Sequence, residues 1–258
     1  MSKSRYRIQF PPANTERVKQ GEVTFRLIED GRPNELRFHD YAAIYERPGL
    51  YEQLFYDRLR CCSPRKVGDI LAQTLHAAGE SISELRGLDL GAGNGMMGEV
   101  LKKLGMSRLV GTDILPEARD ACFRDRPEVY DEYYVADFTD LPAETVERID
   151  EWQIDCLTTV AALGFGDIPP AAFAQAMHFV RPGGWVAFNI RDTFLERSDS
   201  GGFSRFVREL IQSEYLDVFH LEKYRHRLSM EGSPLLYFAL VARKTTEIPP
   251  DFLANFEG

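Results

Sequence analysis

From Ser63 onward the chain alternates between two hydrophobic patterns. Short apolar runs are separated by longer stretches in which apolar residues recur every three or four positions. The short runs are typical of buried strands, and the longer stretches are typical of amphipathic helices. Strands that alternate with helices in this way pair in parallel, which predicts an α/β fold with a doubly wound sheet. The predicted strands are Gly87–Leu90, Leu109–Thr112, Tyr133–Ala136, Ile154–Val160 and Trp185–Ile190.

The sequence also indicates where the first of these helices begins and how the sheet closes. Ser63 followed by Pro64 is typical of a helix N-cap with proline at the first helical position. Near the C-terminus, two strand-like runs over 216–228 and 235–243 flank a turn and predict an antiparallel hairpin. His220 and His226 fall on one face of its first strand, and we expect that face to be solvated.

The residues before Ser63 carry a different pattern. Apolar and polar positions alternate on both sides of Asp30-Gly31, which predicts a β-hairpin over 22–38. An aromatic-rich stretch over 39–60 follows it. This stretch fits either a packed pair of aromatic helices or a lid over the carboxyl edge of the sheet, and one element can do both.

Length and the absence of long apolar runs limit the class of protein. The chain has 258 residues, which suits one large domain with an added cap. We expect an N-terminal extension and lid over 1–62, an α/β core over 63–245 and a tail over 246–258. No apolar run approaches the roughly 20 residues that span a bilayer, and the N-terminus lacks the apolar stretch of a secretory signal. A cytoplasmic protein without a membrane partner is therefore expected.

Charge and cysteine content narrow the partners. The formal net charge is −9, and no block of Lys and Arg offers a surface for phosphate backbones. We therefore expect a small-molecule substrate and no nucleic acid. The four cysteines form no C-x-x-C pair, and no histidine lies near them at zinc-ligand spacing, so no metal site is expected. A homodimer is left open.

The segment Leu88–Gly95 carries the clearest chemical signal. Its glycines follow a predicted strand and precede a helix, where a tight turn lets the backbone approach a nucleotide-like ligand. The spacing is G-x-G-x-G, and Met96 stands where a dinucleotide-binding loop has its third glycine. Asp89 would repel a pyrophosphate, whereas it would attract the sulfonium and ammonium of S-adenosylmethionine. Both arguments favour S-adenosylmethionine over a dinucleotide.

Two further carboxylates follow the next predicted strands. Asp113 ends the second strand, where its oxygens can accept hydrogen bonds from both ribose hydroxyls of a nucleotide-type cofactor. Asp137 ends the third strand and is followed by Phe138. This pair can accept from an adenine amino group and pack a ring on the base.

Four ordered segments resemble the successive motifs of class I S-adenosylmethionine-dependent methyltransferases. They are Asp89–Gly95, Gly111–Ile114, Ala136–Phe138 and Arg181–Gly184. The resemblance extends over about residues 63–243 and implies a seven-stranded sheet with strand order 3-2-1-4-5-7-6, whose seventh strand is antiparallel. It also implies roles for single positions in cofactor binding. Asp89, Gly91 and Gly93 flank the methionine moiety, with Ala92 and Asn94 in the same loop. Asp113 holds the ribose, and Ile114, Asp137 and Phe138 contact the adenine. The end of the fourth strand, Val160 to Leu163, lies beneath the sulfonium, and Val160 and Ala161 are its cofactor-binding residues.

The chain departs from two branches of this family. No Asn-Pro-Pro-Tyr-type signature follows the fourth strand, where the chain runs from Val160 to Asp167 without one. This argues against methylation of the exocyclic amines of nucleobases or of glutamine. The paired acidic metal site of catechol-type enzymes is also missing. The sequence looks most like the broad bacterial group that acts on small molecules.

The cofactor motifs do not dictate a catalytic residue, because the sulfonium already activates the methyl group and the enzyme mainly aligns the acceptor. A general base is needed if the acceptor is a hydroxyl, and His39 is the candidate. Candidate substrate-binding residues are Tyr41, Tyr45, Tyr51, Tyr56 and Arg191. Arg191 either orients an anionic acceptor or is a solvated loop residue. The alternatives to a methyltransferase are a Rossmann-type NAD(P)-dependent oxidoreductase and a non-catalytic protein that kept the fold.

Overall fold

The computed structural model describes residues 6–11, 23–29, 31–163, 167–195, 202–249 and 252. Its strands form a three-stranded antiparallel sheet and a seven-stranded sheet. The strands of the small sheet are β1 (Arg7–Gln9), β2 (Thr24–Glu29) and β3 (Arg32–Arg37). Those of the large sheet are β4 (Arg86–Leu90), β5 (Arg108–Asp113), β6 (Glu132–Val135), β7 (Cys156–Thr159), β8 (Trp185–Arg191), β9 (Leu216–Leu228) and β10 (Pro234–Lys244).

The large sheet has the predicted order, which confirms the fold class. Its strands run β6-β5-β4-β7-β8-β10-β9, and the sequence order within the sheet is therefore 3-2-1-4-5-7-6. The first five strands pair in parallel, whereas β10 is antiparallel to both β8 and β9. Successive strands are added on one side of β4 as far as β6 and on its other side from β7 onward. The carboxyl ends of β4 and β7 therefore border the crevice in which α/β folds bind ligands.

Helices cover both faces of this sheet, which explains why its central strands read as continuous apolar runs. α2 and α3 pack on one face, and α5, α6 and α7 pack on the other. α5 was not predicted, because it is short and only Ile149 of its residues is fully buried. The helices are α1 (Tyr41–Tyr45), α2 (Ser63–Ala77), α3 (Met96–Lys103), α4 (Pro116–Asp125), α5 (Ala143–Asp150), α6 (Pro170–His178) and α7 (Gly202–Gln212).

The start of α2 corrects the prediction for Ser63. The N-cap position belongs to Cys62, and no side chain caps the helix there. The Ser63 hydroxyl is buried and lies 2.6 Å from both the Tyr224 hydroxyl and His226 Nδ1. The reason is a contact between distant parts of the chain: β9 crosses the first turn of α2 and places Tyr224 and His226 beside the serine. If the serine capped the helix instead, these buried polar groups would lose their partner.

The same contact corrects the prediction for His226. The residue lies at a β-bulge of β9, between the residues that pair with Leu235 and Leu236. Its side chain is packed against Tyr237, with ring centroids 4.1 Å apart, and the residue is 5% exposed. The expectation of a solvated face is therefore wrong for His226. His220 lies nearer the surface beside Glu222.

The N-terminal residues build a small core of their own. β2 and β3 form a hairpin where the alternation over 22–38 predicts one; Asp30 of its turn lies outside the described residues. β1 adds a strand that the sequence did not indicate, because three residues are too few to show a pattern. The stretch over 39–60 forms α1 and a π-helical segment, Glu52–Arg58, and packs its aromatic rings against the hairpin.

Candidate functional site

A cavity of about 310 Å³ lies at the carboxyl edge of β4, β5 and β7. Its floor is formed by the loops that follow these strands, and residues of the N-terminal segment form the opposite wall. Such a volume is in the range of small-molecule sites. The sequence-predicted residues that line it are His39, Tyr41, Tyr45, Tyr51, Tyr56, Gly91, Ala92, Gly93, Asn94, Asp113, Ile114, Asp137, Phe138, Val160 and Ala161.

Two of the predicted residues, Asp89 and Arg191, do not line this cavity. Asp89 is 1% exposed, and both of its carboxylate oxygens are used by the protein. Oδ1 accepts from the Thr158 hydroxyl at 2.7 Å, and Oδ2 accepts from the Tyr130 hydroxyl at 2.6 Å. Burial raises the pKa of Asp89 to about 6. Asp89 thus fastens the end of β4 from behind the loop, and its implied place beside a methionine moiety stays a prediction.

The glycine loop is held in a conformation that needs glycine. Gly93 has φ +54°, and a β-carbon at this position would collide with the Tyr45 hydroxyl. Gly95 has φ +86°, and its β-carbon would lie 2.9 Å from Cys122 Sγ on α4. Both the left-handed backbone and the close neighbours exclude larger side chains. The backbone of the loop therefore packs directly against Tyr45 and α4.

Asp113 ties this loop to the end of β5. Its Oδ2 accepts from the backbone N–H of Gly93 at 2.9 Å, and its Oδ1 accepts from that of Leu115 at 3.0 Å. Burial raises the pKa of the carboxyl, while the backbone hydrogen bonds oppose the rise. Each carboxylate oxygen has a second lone pair. Asp113 can therefore accept further hydrogen bonds from a ligand in the cavity.

The rim beyond Asp113 combines an apolar and a polar side. Ile114 is 58% exposed although it is a large apolar residue, and Phe138 lies buried nearby on the cavity wall. Asp137 accepts from the backbone N–H and the hydroxyl of Thr139, which lowers its pKa. A flat apolar ligand with polar edges fits between these surfaces, because it would cover the exposed Ile114.

The floor at the end of β7 contains a strained residue. Ala161 has φ +61°, and its backbone N–H donates to Asn189 Oδ1 at 2.6 Å. The amide nitrogen of Asn189 donates in turn to the Tyr224 and Ser63 hydroxyls. Backbone strain of this kind persists where the surroundings fix it, and it is concentrated at functional sites. The signal that could have revealed this was Asn189 itself, a lone amide inside the apolar run of β8.

The opposite wall is aromatic. Tyr41, Tyr45, Tyr51 and Tyr56 lie in a row, with ring centroids 5.0 to 6.3 Å apart between successive members. Burial is the main cause that raises the pKa of all four hydroxyls, so each stays neutral. We call these four residues the tyrosine roof.

Charged residues fasten the π-helical segment behind the roof to the glycine loop. Arg126 donates to Glu52 Oε1 and to the carbonyl oxygen of Asn94, each at 3.0 Å, and pairs with Glu99. Asn94 Nδ2 also donates to Glu52 Oε1 at 3.2 Å, whereas the buried Asn94 Oδ1 has no partner among the described residues. These contacts join distant parts of the chain and were not predicted.

His39 and Arg191 complete the account of the predicted residues. His39 Nδ1 lies 3.5 Å from Asp167 Oδ1, and both residues line the cavity. Asp167 was not singled out from the sequence. Arg191 ends β8 and pairs across the sheet with Tyr237. Among the described residues, no group of three or more His, Cys, Asp and Glu side chains is arranged to hold a metal, and no helix is long and apolar enough to cross a membrane.

Comparisons with known proteins agree with this geometry. Residues 88–188 match the sequence profile of a family described as "Methyltransferase domain". Magnesium protoporphyrin IX methyltransferase from Synechocystis PCC 6803, solved with bound S-adenosylmethionine, has a similar fold, with TM-score 0.50 and 14% identity over 70% of this chain and 79% of that one. A candidate RNA methyltransferase from Pyrococcus horikoshii gives TM-score 0.50 and 15% identity over 69% and 81%. The comparison with curated proteins gave no match.

The resemblance to class I methyltransferases is thus confirmed by the family match and by the strand order. Dinucleotide-binding domains have the order 3-2-1-4-5-6. The present sheet instead inserts an antiparallel β10 between β8 and β9. This difference separates the chain from the oxidoreductase alternative at the level of the fold.

Proposed function

We propose that the methyltransferase domain of this chain transfers a methyl group from S-adenosylmethionine to a small-molecule acceptor. The observation that supports this most is that one cavity is lined by the glycine loop, Asp113 and Ala161 and also by the tyrosine roof. It offers one wall for a nucleotide-like donor and another for an acceptor.

The residues present fit the donor. Asp113 has lone pairs for the ribose hydroxyls, and Ile114 with Phe138 offers apolar surface for the adenine. The buried amide oxygen of Asn94 lacks a partner among the described residues, and an α-ammonium group would supply one.

S-adenosylmethionine, when bound, supplies a methyl group that its sulfonium already activates for displacement. The task of the chain is to orient the acceptor and to exclude water. The tyrosine roof covers the cavity with neutral aromatic surface. It therefore excludes water and gives the acceptor a surface to pack against. For a hydroxyl acceptor, His39 takes up the proton, and the Asp167 carboxylate 3.5 Å away stabilises the resulting imidazolium.

A small acceptor fits better than a macromolecule. The tyrosine roof covers the glycine loop, with Tyr45 in contact with Gly93. A folded nucleic acid or protein surface would have to displace it. The net charge of −9 also repels a phosphate backbone.

Calorimetric titration with S-adenosylhomocysteine and, separately, NADPH tests the proposal. We expect S-adenosylhomocysteine to bind and NADPH not to bind. Asp113→Asn should weaken S-adenosylhomocysteine about 10- to 100-fold, because it removes charged hydrogen bonds to the ribose. Asp120→Asn, an exposed carboxyl that pairs with Arg119 on α4, is the matched control and should leave binding unchanged.

Two outcomes would count against this. Failure of S-adenosylhomocysteine to bind at millimolar concentration contradicts the proposed donor, and NADPH binding in its place would favour the oxidoreductase. Binding that is equally strong in Asp113→Asn contradicts the placement of the ribose.

A further inference from the structure

A second, smaller cavity of about 40 Å³ lies beside the main one. It shares Tyr41, Tyr51 and Ala161 with the main cavity and extends from there toward β9 and β10. We call it the inner cavity. A cavity of about 10–15 Å³ is enough for a single water, so the inner cavity holds one functional group and not a whole substrate.

His226 gives the inner cavity a hydrogen-bond donor. The hydrogen bonds of the buried network behind the ring show which of its two nitrogens carries the proton. Asn189 Nδ2 donates to both the Ser63 and Tyr224 hydroxyls. The Ser63 and Tyr224 hydroxyls lie 2.6 Å apart, and Ser63 is also 2.6 Å from His226 Nδ1. The Tyr224 hydroxyl contacts only Ser63 and Asn189 among the described residues, so its proton points to Ser63. The Ser63 proton then points to His226 Nδ1, because the other neighbour, the Cys61 sulfur 3.9 Å from that nitrogen, is only a weak acceptor.

This arrangement fixes the tautomer of the imidazole. Because Nδ1 of His226 accepts from Ser63, the proton of the neutral ring lies on Nε2. Burial lowers the pKa of His226 to about 3, so the ring stays neutral. The ring lines the inner cavity, with its Nδ1 edge turned to Ser63. The remaining polar atom of the ring is therefore a donor.

An arginine next to His226 in sequence brings positive charge to the inner cavity. Arg227 lines it, with Nη1 donating to the carbonyl oxygen of Leu228 at 3.0 Å and the guanidinium 6.0 Å from the centre of the Phe55 ring. Tyr237 also lines it, and the positive charges of Arg227 and Arg191 oppose the rise in the pKa of its hydroxyl that burial causes. The negative charge in the inner cavity, Asp167, is beside His39.

We infer that the inner cavity binds a carboxylate of the acceptor, with His226 Nε2 and Arg227 as donors. This rests on the proposed function. The carboxylate then anchors the acceptor while its nucleophilic atom lies in the main cavity above Ala161, where the two cavities meet. The acceptor is thus a small carboxylic acid, and Arg191 adds to the positive field without touching it.

Benzoate and benzamide are matched probes, because they have nearly the same shape and differ in charge. Each is titrated into the full-length protein saturated with S-adenosylhomocysteine, and its Kd is measured by calorimetry or ligand-observed NMR. We expect benzoate to bind about tenfold or more tightly than benzamide, since charge-assisted hydrogen bonds are roughly twice as strong as neutral ones. Arg227→Gln should remove this preference, and Arg227→Lys should retain most of it.

Arg225→Gln is the matched control. Arg225 lies two residues away on the same strand, is exposed and does not line the inner cavity, so its loss should leave the benzoate preference unchanged. Equal binding of benzoate and benzamide to the wild type overturns the inference, as does an undiminished preference in Arg227→Gln. The titration with S-adenosylhomocysteine reports separately on the proposed function. If S-adenosylhomocysteine binds and the probes are not distinguished, only the inner-cavity assignment fails.

Discussion

The floor of the main cavity and the tyrosine roof reach the same site by different routes. The floor consists of backbone and short side chains at the ends of neighbouring strands, as at Gly93 and Asp113. The roof consists of large side chains from a segment that precedes the core in sequence, and its position depends on long-range contacts such as that between Glu52 and Arg126. The floor is therefore inherent in the α/β fold, whereas the roof has to be fastened to it.

The ion pair that holds the π-helical segment to the glycine loop can be broken at Arg126, where we expect the largest effect on stability. Arg126→Met leaves the buried Glu52 without its ion partner, which should lower the free energy of unfolding by about 3–5 kcal/mol. Urea unfolding monitored by tyrosine fluorescence measures the change. Arg119→Met, which removes an exposed pair with Asp120, is the control and should change it by less than about 1 kcal/mol.

A double variant sharpens this test. Glu52→Gln combined with Arg126→Met removes both charges and should recover part of the lost stability. If Arg126→Met is no more destabilising than Arg119→Met, the roof is not held by this ion pair.

The conformation of the floor can be disturbed by a substitution at Gly93. In Gly93→Ala, left-handed strain of about 1–2 kcal/mol adds to a collision with the Tyr45 hydroxyl, and we expect S-adenosylhomocysteine affinity to fall about 100-fold. Gly79→Ala is the matched control, because Gly79 has φ +77° and, apart from its chain neighbours, no described residue has an atom within 4 Å of the added carbon. It tests strain without a collision, away from the cavity.

The collision itself is tested by Tyr45→Phe combined with Gly93→Ala. Removal of the hydroxyl should restore part of the affinity. Affinity that stays at the wild-type level in Gly93→Ala alone would show that the loop and the roof do not meet at this point.

These two regions also differ in how far the sequence could predict them. Apolar runs, glycine spacing and strand-end carboxylates are local features, so the sheet and its loops were correctly predicted. The partners of Asp89 are not local: Tyr130 and Thr158 lie 41 and 69 residues away, and no pattern indicates that their hydroxyls would turn the carboxylate away from the cavity. Ser63 likewise fits a helix cap by sequence and becomes a buried network residue only through β9.

The network beneath the floor should show a smaller effect on stability than Arg126 does. Asn189→Leu leaves the Ala161 N–H without its partner and takes one hydrogen bond from each of the Ser63 and Tyr224 hydroxyls. This should cost about 2 kcal/mol in the free energy of unfolding. Asn34→Leu on β3, an exposed amide, is the control. If Asn189→Leu lowers the free energy of unfolding no more than this control does, Asn189 is not what holds Ala161 in its strained conformation.

The smallest expected effect is a pH dependence from His226. Its pKa is lowered in the folded state to about 3, so its contribution to stability is present above the unfolded-state pKa and is lost as the pH falls. Between pH 6.5 and 5 the wild type should lose about 1.5 kcal/mol relative to His226→Asn. Parallel profiles for the wild type and His226→Asn would contradict a neutral buried ring.

A crystal structure of the complex with S-adenosylhomocysteine tests the central claim most directly. We predict that the ribose hydroxyls lie within hydrogen-bond distance of Asp113, that the adenine lies between Ile114 and Phe138, and that the sulfur faces Ala161 beneath the tyrosine roof. A ligand bound outside the main cavity, or bound within it with the ribose away from Asp113, would contradict the account.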